Sequence, residues 1–137
     1  MIIIENKFIP FGEYTTMNFF GILFTKRDKL SDKIINHEKI HTIQIFELAI
    51  VGIFLVFILN AFIYLPIWTF LLGIPFFYIW YACEYLFVRF FHKKQNDGYH
   101  DISLEEEAYA NEDNLSYLED RLPFNWIEYL APRSNEK

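Results

Sequence analysis

The chain reads as a mainly α integral-membrane protein, a two-helix transmembrane hairpin that carries a small cytoplasmic domain and a short N-terminal β segment. Three observations predict this. Between Ile45 and Phe91 the only formally charged side chains are Glu47, Glu84 and Arg89. A span needs roughly 20 apolar residues, so a stretch of about 47 is one span too many for a single helix. Hydrophobic residues make up 53% of the 137 and aromatics 20%, well above the usual share in a soluble domain. All 12 Lys and Arg lie in residues 1–43 or 89–137, and none lies in the turn near Pro66. The positive-inside rule therefore places both flanks, and both termini, in the cytoplasm. A buried helical hairpin of a soluble protein is the alternative, but the remaining chain is too short to cover it.

The elements follow in order, within one domain. Residues 1–30 form an extended N-terminal segment, with apolar runs Ile2-Ile3-Ile4 and Gly21 to Thr25 separated by Pro10 and Gly12. Lys26 to Lys29 is a charged loop. Ser31 is placed to cap a helix that starts at Asp32, whose carboxylate suits the first turn. No Gly or Pro interrupts residues 32–45, so that helix runs on into the first span and ends near Tyr64. Pro66 marks the turn. The second span covers residues 66–91, kinked at Pro75. Asn96-Asp97-Gly98 is a turn signal in a polar stretch that holds Lys93 and Lys94. Ser103-Leu104-Glu105-Glu106 matches a capping box and opens a helix over 103–120, with Leu104, Ala108, Leu115 and Leu118 as its apolar stripe. Residues 121–137 begin with an aromatic run bounded by Pro123 and Pro132, suited to the membrane surface or to packing on the cytoplasmic domain.

Composition also excludes. A net charge of −6 with no basic face argues against nucleic acid as a partner. The single cysteine, Cys83, rules out an internal disulfide and reads as a small packing residue. Residues 1–10 lack a basic and then apolar pattern, so no cleavable leader is expected.

The chemistry is carried by His37-Glu38-Lys39-Ile40-His41, an H-E-x-x-H. On a helix His37 and His41 share a face and can hold one metal, while Glu38 sits about 100° round, near a water on that metal. Zinc in a catalytic site needs a third protein ligand and an open position. The candidate is Glu107, in Glu107-Ala108-Tyr109-Ala110-Asn111. Glu105 and Glu106 compete with it. Glu105, two residues away, is expected to face the other side, and Glu106 suits the capping box.

H-E-x-x-H followed by a helical E-x-x-A-[DN] resembles the gluzincin zinc metallopeptidases. In their integral-membrane members, the HtpX-type heat-shock proteases and the CAAX prenyl endopeptidases, a membrane hairpin also separates the two motifs. The N-H-E-K-I-H segment, the aromatic hairpin and the E-A-Y-A-N-E segment are likewise similar to a set of small bacterial membrane proteins. The resemblance implies a metallopeptidase-like domain at the cytoplasmic face of the bacterial inner membrane, with Zn²⁺ bound by His37, His41 and Glu107. Glu38 would be the catalytic base. Asn111, a turn after Glu107, would orient a ligand histidine from outside the coordination shell. The pattern departs from the family in having Asn at 111 in place of the commoner Asp, and in lacking an earlier pair of spans. His100, Tyr109 and Arg121 are the options for an oxyanion donor.

Further expectations follow. Substrate, a peptide or a membrane protein, would add as a strand alongside Ile22 to Thr25, as in gluzincins. Glu84, inside the second span, must face protein or a wet cavity; it serves either a cavity wall or a structural pairing with Arg89 or Gln44. Glu47 reads as interfacial. A homo-oligomer or a larger partner would cover Asn60 and Glu84. The competing functions are a non-catalytic membrane protein with a structural metal site, and a regulatory or assembly subunit.

Overall fold

The structure, a computed structural model, describes residues 1–10, 12, 15–91 and 99–130. The Asn96-Asp97-Gly98 turn, Lys93, Lys94 and the tail from residue 131 lie outside them. The described chain is mainly helical with one small sheet. Strands β1 (Ile2–Glu5), β2 (Thr16–Phe19) and β3 (Ile22–Thr25) lie in the order β1-β3-β2, with β1 parallel and β2 antiparallel to β3. The expected extended segment thus holds one strand more than its apolar runs announce. β2 reads T-M-N-F and has no apolar run, but Phe20 and Gly21, both at positive φ, close a tight hairpin that pairs it with β3.

Helix α1 runs from Asp32 to Phe62, and the Ser31 hydroxyl accepts from the Ile34 N–H at its start. It is the one described helix long and apolar enough to cross a membrane by itself. Phe46, Ile50, Phe54 and Phe57 recur on one outward face, each more than half exposed. The return segment is not the single helix expected over 66–91. A 3₁₀ helix, Ile67–Gly73, precedes α2 (Phe76–Phe91), and the two meet at a 43° bend. Ile74 keeps helical angles, φ −60° and ψ −47°, but Pro75 has no N–H to return to the preceding turn and its ring crowds the carbonyl there, which explains the break. The two pieces count as a second span only if taken together.

Backbone contact between glycines joins the two limbs. A Cβ at Gly52 would overlap the Gly73 carbonyl oxygen, and one at Gly73 would overlap the backbone of Ile53. Neither neighbour is a side chain that can swing away. Gly52→Val should therefore force the limbs apart and cost roughly 1–3 kcal/mol, as overpacking does. Detergent-denaturant unfolding beside the exposed control Ile50→Ala measures it; equal midpoints would show that the limbs do not meet here.

The expected helix over 103–120 is also broken, into α3 (Ser103–Asn111) and α4 (Tyr117–Asp120). The Asn36 amide of α1 explains the stop. Its Nδ2 lies 3.0–3.1 Å from the carbonyl oxygens of Asn111, Glu112 and Asn114, satisfying acceptors that a continued helix would have used itself. The capping box is not formed. Ile102 stands at the N-cap, and Glu84 caps from α2 instead, accepting from Ser103 N–H at 2.7 Å and Ser103 Oγ–H at 2.9 Å. Glu84 also accepts from the Trp80 indole at 3.0 Å. Its structural role stands, but its partners are neither Arg89 nor Gln44. Asn60 donates to the Leu65 carbonyl, so both polar residues expected to seek an outside partner are satisfied within the chain. A final 3₁₀ helix, Asn125–Tyr129, packs Trp126 into a core with Ile45, Leu48, Phe77, Ile102 and Leu104. That settles the packing of this segment on the domain.

Candidate metal centre

Two elements build the site. His37 and His41 stand one turn apart on α1, where both are buried, with their Nε2 atoms 3.0 Å apart. α3 crosses them and presents Glu105, whose carboxylate oxygens lie 3.5 Å from each Nε2. His37, His41 and Glu105 form the one group of metal-capable side chains found among the described residues.

The hydrogen bonds behind the histidines decide what their front atoms can do. The His41 Nδ1–H donates to Gln44 Oε1 at 2.7 Å. Gln44 is oriented by its own amide, which donates to the Leu104 carbonyl and to Glu107 Oε2, both at 2.9 Å. Its oxygen must therefore face His41. The His37 Nδ1–H donates to Glu112 Oε2 at 3.0 Å. With both Nδ1 atoms carrying hydrogen, the neutral rings aim two Nε2 lone pairs at each other. Glu105 adds negative charge. Its Oε1 accepts from the Tyr81 hydroxyl at 2.9 Å, while its buried Oε2 has no hydrogen-bond partner. Two Nε2 atoms and a carboxylate converging in this way call for a cation between them, a proton or a metal. Ligands of a tetrahedral zinc, at roughly 2.0–2.1 Å, stand roughly 3.3 Å from one another, close to the spacing here.

Electrostatics point the same way. Burial opposes charge on His41, but Glu105 overrides it and raises the ring to about 9. Burial likewise favours a neutral Glu105, yet His41 and then His37 hold it well below the usual carboxylate range. A proton is thus the competitor for the cation. Because His41 is raised, the metal-free protein carries that proton up to about pH 9, and metal must expel it. Apparent zinc affinity should rise about tenfold per pH unit from 7 towards 9 and level off above. Competition against a chromophoric chelator measures this; a flat profile would contradict it.

Glu107 corrects the sequence reading. It is fully buried but points away from the histidines, accepting from Arg121 Nε at 2.7 Å, Tyr117 Oη–H at 2.7 Å and Gln44. On a helix, residues two apart diverge by about 200°, so only one of Glu105 and Glu107 can face α1's histidines. The docking of α3 through Glu84 and Asn36 selects Glu105. The legible signal was a stripe: Glu105, Tyr109 and Glu112 recur at i, i+4 and i+7, and all three meet the histidines or line their cleft. Asn111 shares the face of Glu107, as expected, but donates to the Glu107 carbonyl and to Tyr129 Oη, so it orients no ligand histidine. Glu112 and Gln44 hold the two rings instead. Arg121 is also displaced from the expected role. Its side chain is buried between Glu107 and Glu47, out of the cleft, and Glu47, read from the sequence as interfacial, is a buried ion-pair partner.

The centre opens onto a cleft of about 620 Å³ lined by Glu38, Phe77, Tyr78, Tyr99, His100 and Tyr109, among others. The His37 and His100 rings flank Tyr109 at 4.7 and 4.5 Å between centroids. β2 borders the cleft, and Asn18 ties it to α1 through the Glu38 carbonyl at 2.7 Å and Thr42 at 2.9 Å. β3 is hydrogen-bonded on both sides and has no edge for an added strand, contrary to the expectation for Ile22 to Thr25; the edge beside the cleft belongs to β2. No protein-family model, curated protein or solved structure gives a significant match to this chain.

Proposed function

We propose that the protein is a membrane-anchored, zinc-dependent metallopeptidase that hydrolyses peptide bonds at the cytoplasmic face of the membrane. In this reading α1 and the bent return segment form the two-pass hairpin, both flanks are cytoplasmic, and the substrate is a peptide or a membrane protein. The observation that carries it is the opening of His37, His41 and Glu105 onto a cleft that Glu38 also lines. Structural zinc is closed by four protein ligands, whereas three ligands facing a cavity leave room for water and substrate.

Zinc at His37, His41 and Glu105 would supply Lewis acidity towards a water and a peptide carbonyl. Glu38, lining the same cleft, would take one proton from a water there on its carboxylate as the water oxygen bonds the carbonyl carbon. It then delivers the proton to the amide nitrogen as the C–N bond breaks. The free edge of β2 offers backbone N–H and C=O groups to an extended substrate. Burial, then Glu105, raises the Tyr109 pKa, so its hydroxyl keeps its hydrogen; with His100 it supplies the donors for the developing oxyanion.

The test uses purified full-length protein in detergent, zinc analysis and fluorescently labelled casein as an unfolded substrate. Glu38→Gln should keep zinc and lose roughly 10²–10⁴-fold in cleavage, the usual contribution of a general base. Unchanged cleavage in that variant would remove Glu38 from the mechanism. Zinc without chelator-sensitive cleavage in the wild type would favour a structural metal site.

A further inference from the structure

We infer that the outer face of the N-terminal sheet lies on the lipid bilayer, as a second membrane contact beside the hairpin. The pairing register sorts the strand residues into two faces. Leu23 and Thr25 are fully buried, and Asn18, paired with Leu23, bonds α1, so that face looks inward. The opposite face consists of two cross-strand rows, Ile2-Ile22-Phe19 and Ile4-Phe24-Met17. All six side chains are apolar. Ile2, Ile4, Met17 and Phe19 are 64%, 39%, 40% and 49% exposed, so the described residues leave this face largely open, apart from Tyr78 against Phe19. Phe8, in the loop after β1, is 80% exposed as well.

Position identifies the occupant. The sheet is fastened to α1 at Glu38 and Thr42. Phe46, the first outward apolar side chain of the span, follows Thr42 by one turn, about 6 Å along the axis. The β2–β3 turn reaches further in the same direction, where Phe19 and Phe20 pack on Tyr78 of α2 at 6.0 and 5.6 Å between ring centroids. Phe19, at the turn end of its row, thus touches the return limb of the hairpin through Tyr78. The N-terminal 30 residues hold Lys7, Lys26, Arg27 and Lys29 against Glu5, Glu13 and Asp28, so this segment is +1 (4 − 3) in a chain of −6 and is the part least repelled by anionic headgroups. The sheet would lie with the Ile2 row deeper than the Ile4 row, holding the mouth of the cleft at headgroup level.

This placement rests on the hairpin of the proposed function crossing the membrane, but not on zinc or catalysis. The test is depth-dependent quenching of the full chain in vesicles of phosphatidylethanolamine and phosphatidylglycerol. Single cysteines, in a Cys83→Ser background, carry an environment-sensitive dye at Ile2→Cys, Ile4→Cys, Lys29→Cys and Phe57→Cys. Labels at 2 and 4 should lose fluorescence to lipids spin-labelled near the headgroup, and the label at 29 should lose it to an aqueous quencher. Quenching of 2 and 4 from water alone would overturn the inference. Protection of both from either quencher, with cross-linking between chains at position 4, would assign the face to a second copy and also overturn it. Failure of lipid quenching at 57 would show that the hairpin itself does not span, which removes this placement together with the membrane reading; a zinc-free variant such as His41→Ala should leave the quenching pattern unchanged.

Discussion

Replacing Arg121 with alanine should destabilise the protein by about 3–5 kcal/mol, the cost of breaking a buried ion pair by removing one partner. Its guanidinium forks to two carboxylates. Nε and Nη2 donate to Glu107 at 2.7 and 3.1 Å, and Nη1 and Nη2 donate to Glu47 at 2.6 and 3.1 Å. The Arg121 side chain is 2% exposed and that of Glu107 is 0%, so water cannot replace the lost donors. Without Arg121 two buried negative charges face each other, with Tyr117, Gln44 and the Phe124 N–H as their remaining partners. Arg121→Lys keeps the charge but cannot fork to both, and should fall between wild type and alanine. Denaturant unfolding in detergent checks the series, and an alanine variant within about 0.5 kcal/mol of wild type would mean the pair is solvated. The consequence reaches the metal centre, because Glu107 orients Gln44, and Gln44 holds His41.

That chain of contacts shows which parts of the fold the sequence could express. Helix α1 was legible because its start signal at Ser31, its unbroken helix formers and its apolar run all agree over a long segment. His37 and His41 were legible because one helical turn fixes their relation without reference to anything else. The third member of the candidate metal group was not, because it depends on the rotation of α3 against α1. Two residues read for other purposes set that rotation: Glu84, a charge within an apolar helix, and Asn36, the residue before the histidine motif. The E-x-x-A-N pattern correctly put Glu107 and Asn111 on one face, but the pattern carries no information on what that face meets. Strand β2 was missed for a related reason. Its pairing is dictated by the Phe20-Gly21 turn and by Asn18 reaching α1, not by periodicity in four residues.

Glu105→Ala and Glu107→Gln should separate sharply in metal content, and the separation decides which carboxylate is the ligand. Glu105 supplies the buried oxygen left without a hydrogen-bond partner beside the two Nε2 atoms. Removing it leaves two imidazoles, too few for a zinc site, so bound zinc should fall from about one per chain to near zero. Stability should fall as well, because Glu105 accepts from Tyr81 and is the buried charge partner of His37 and His41, so zinc is measured below the unfolding midpoint of each variant. Glu107 acts at a distance, through Gln44 to His41. Losing such a supporting contact costs about 10–100-fold in metal affinity, which leaves zinc bound at micromolar excess. Its larger effect should be on stability, since Arg121 keeps only Glu47 as a charged partner. Zinc analysis and unfolding midpoints on the same preparations read both quantities. Retention of zinc in Glu105→Ala with loss in Glu107→Gln would restore Glu107 as ligand and require α3 to turn by roughly half a revolution, a change that would also take Tyr109 off His37 and Glu112 off its Nδ1.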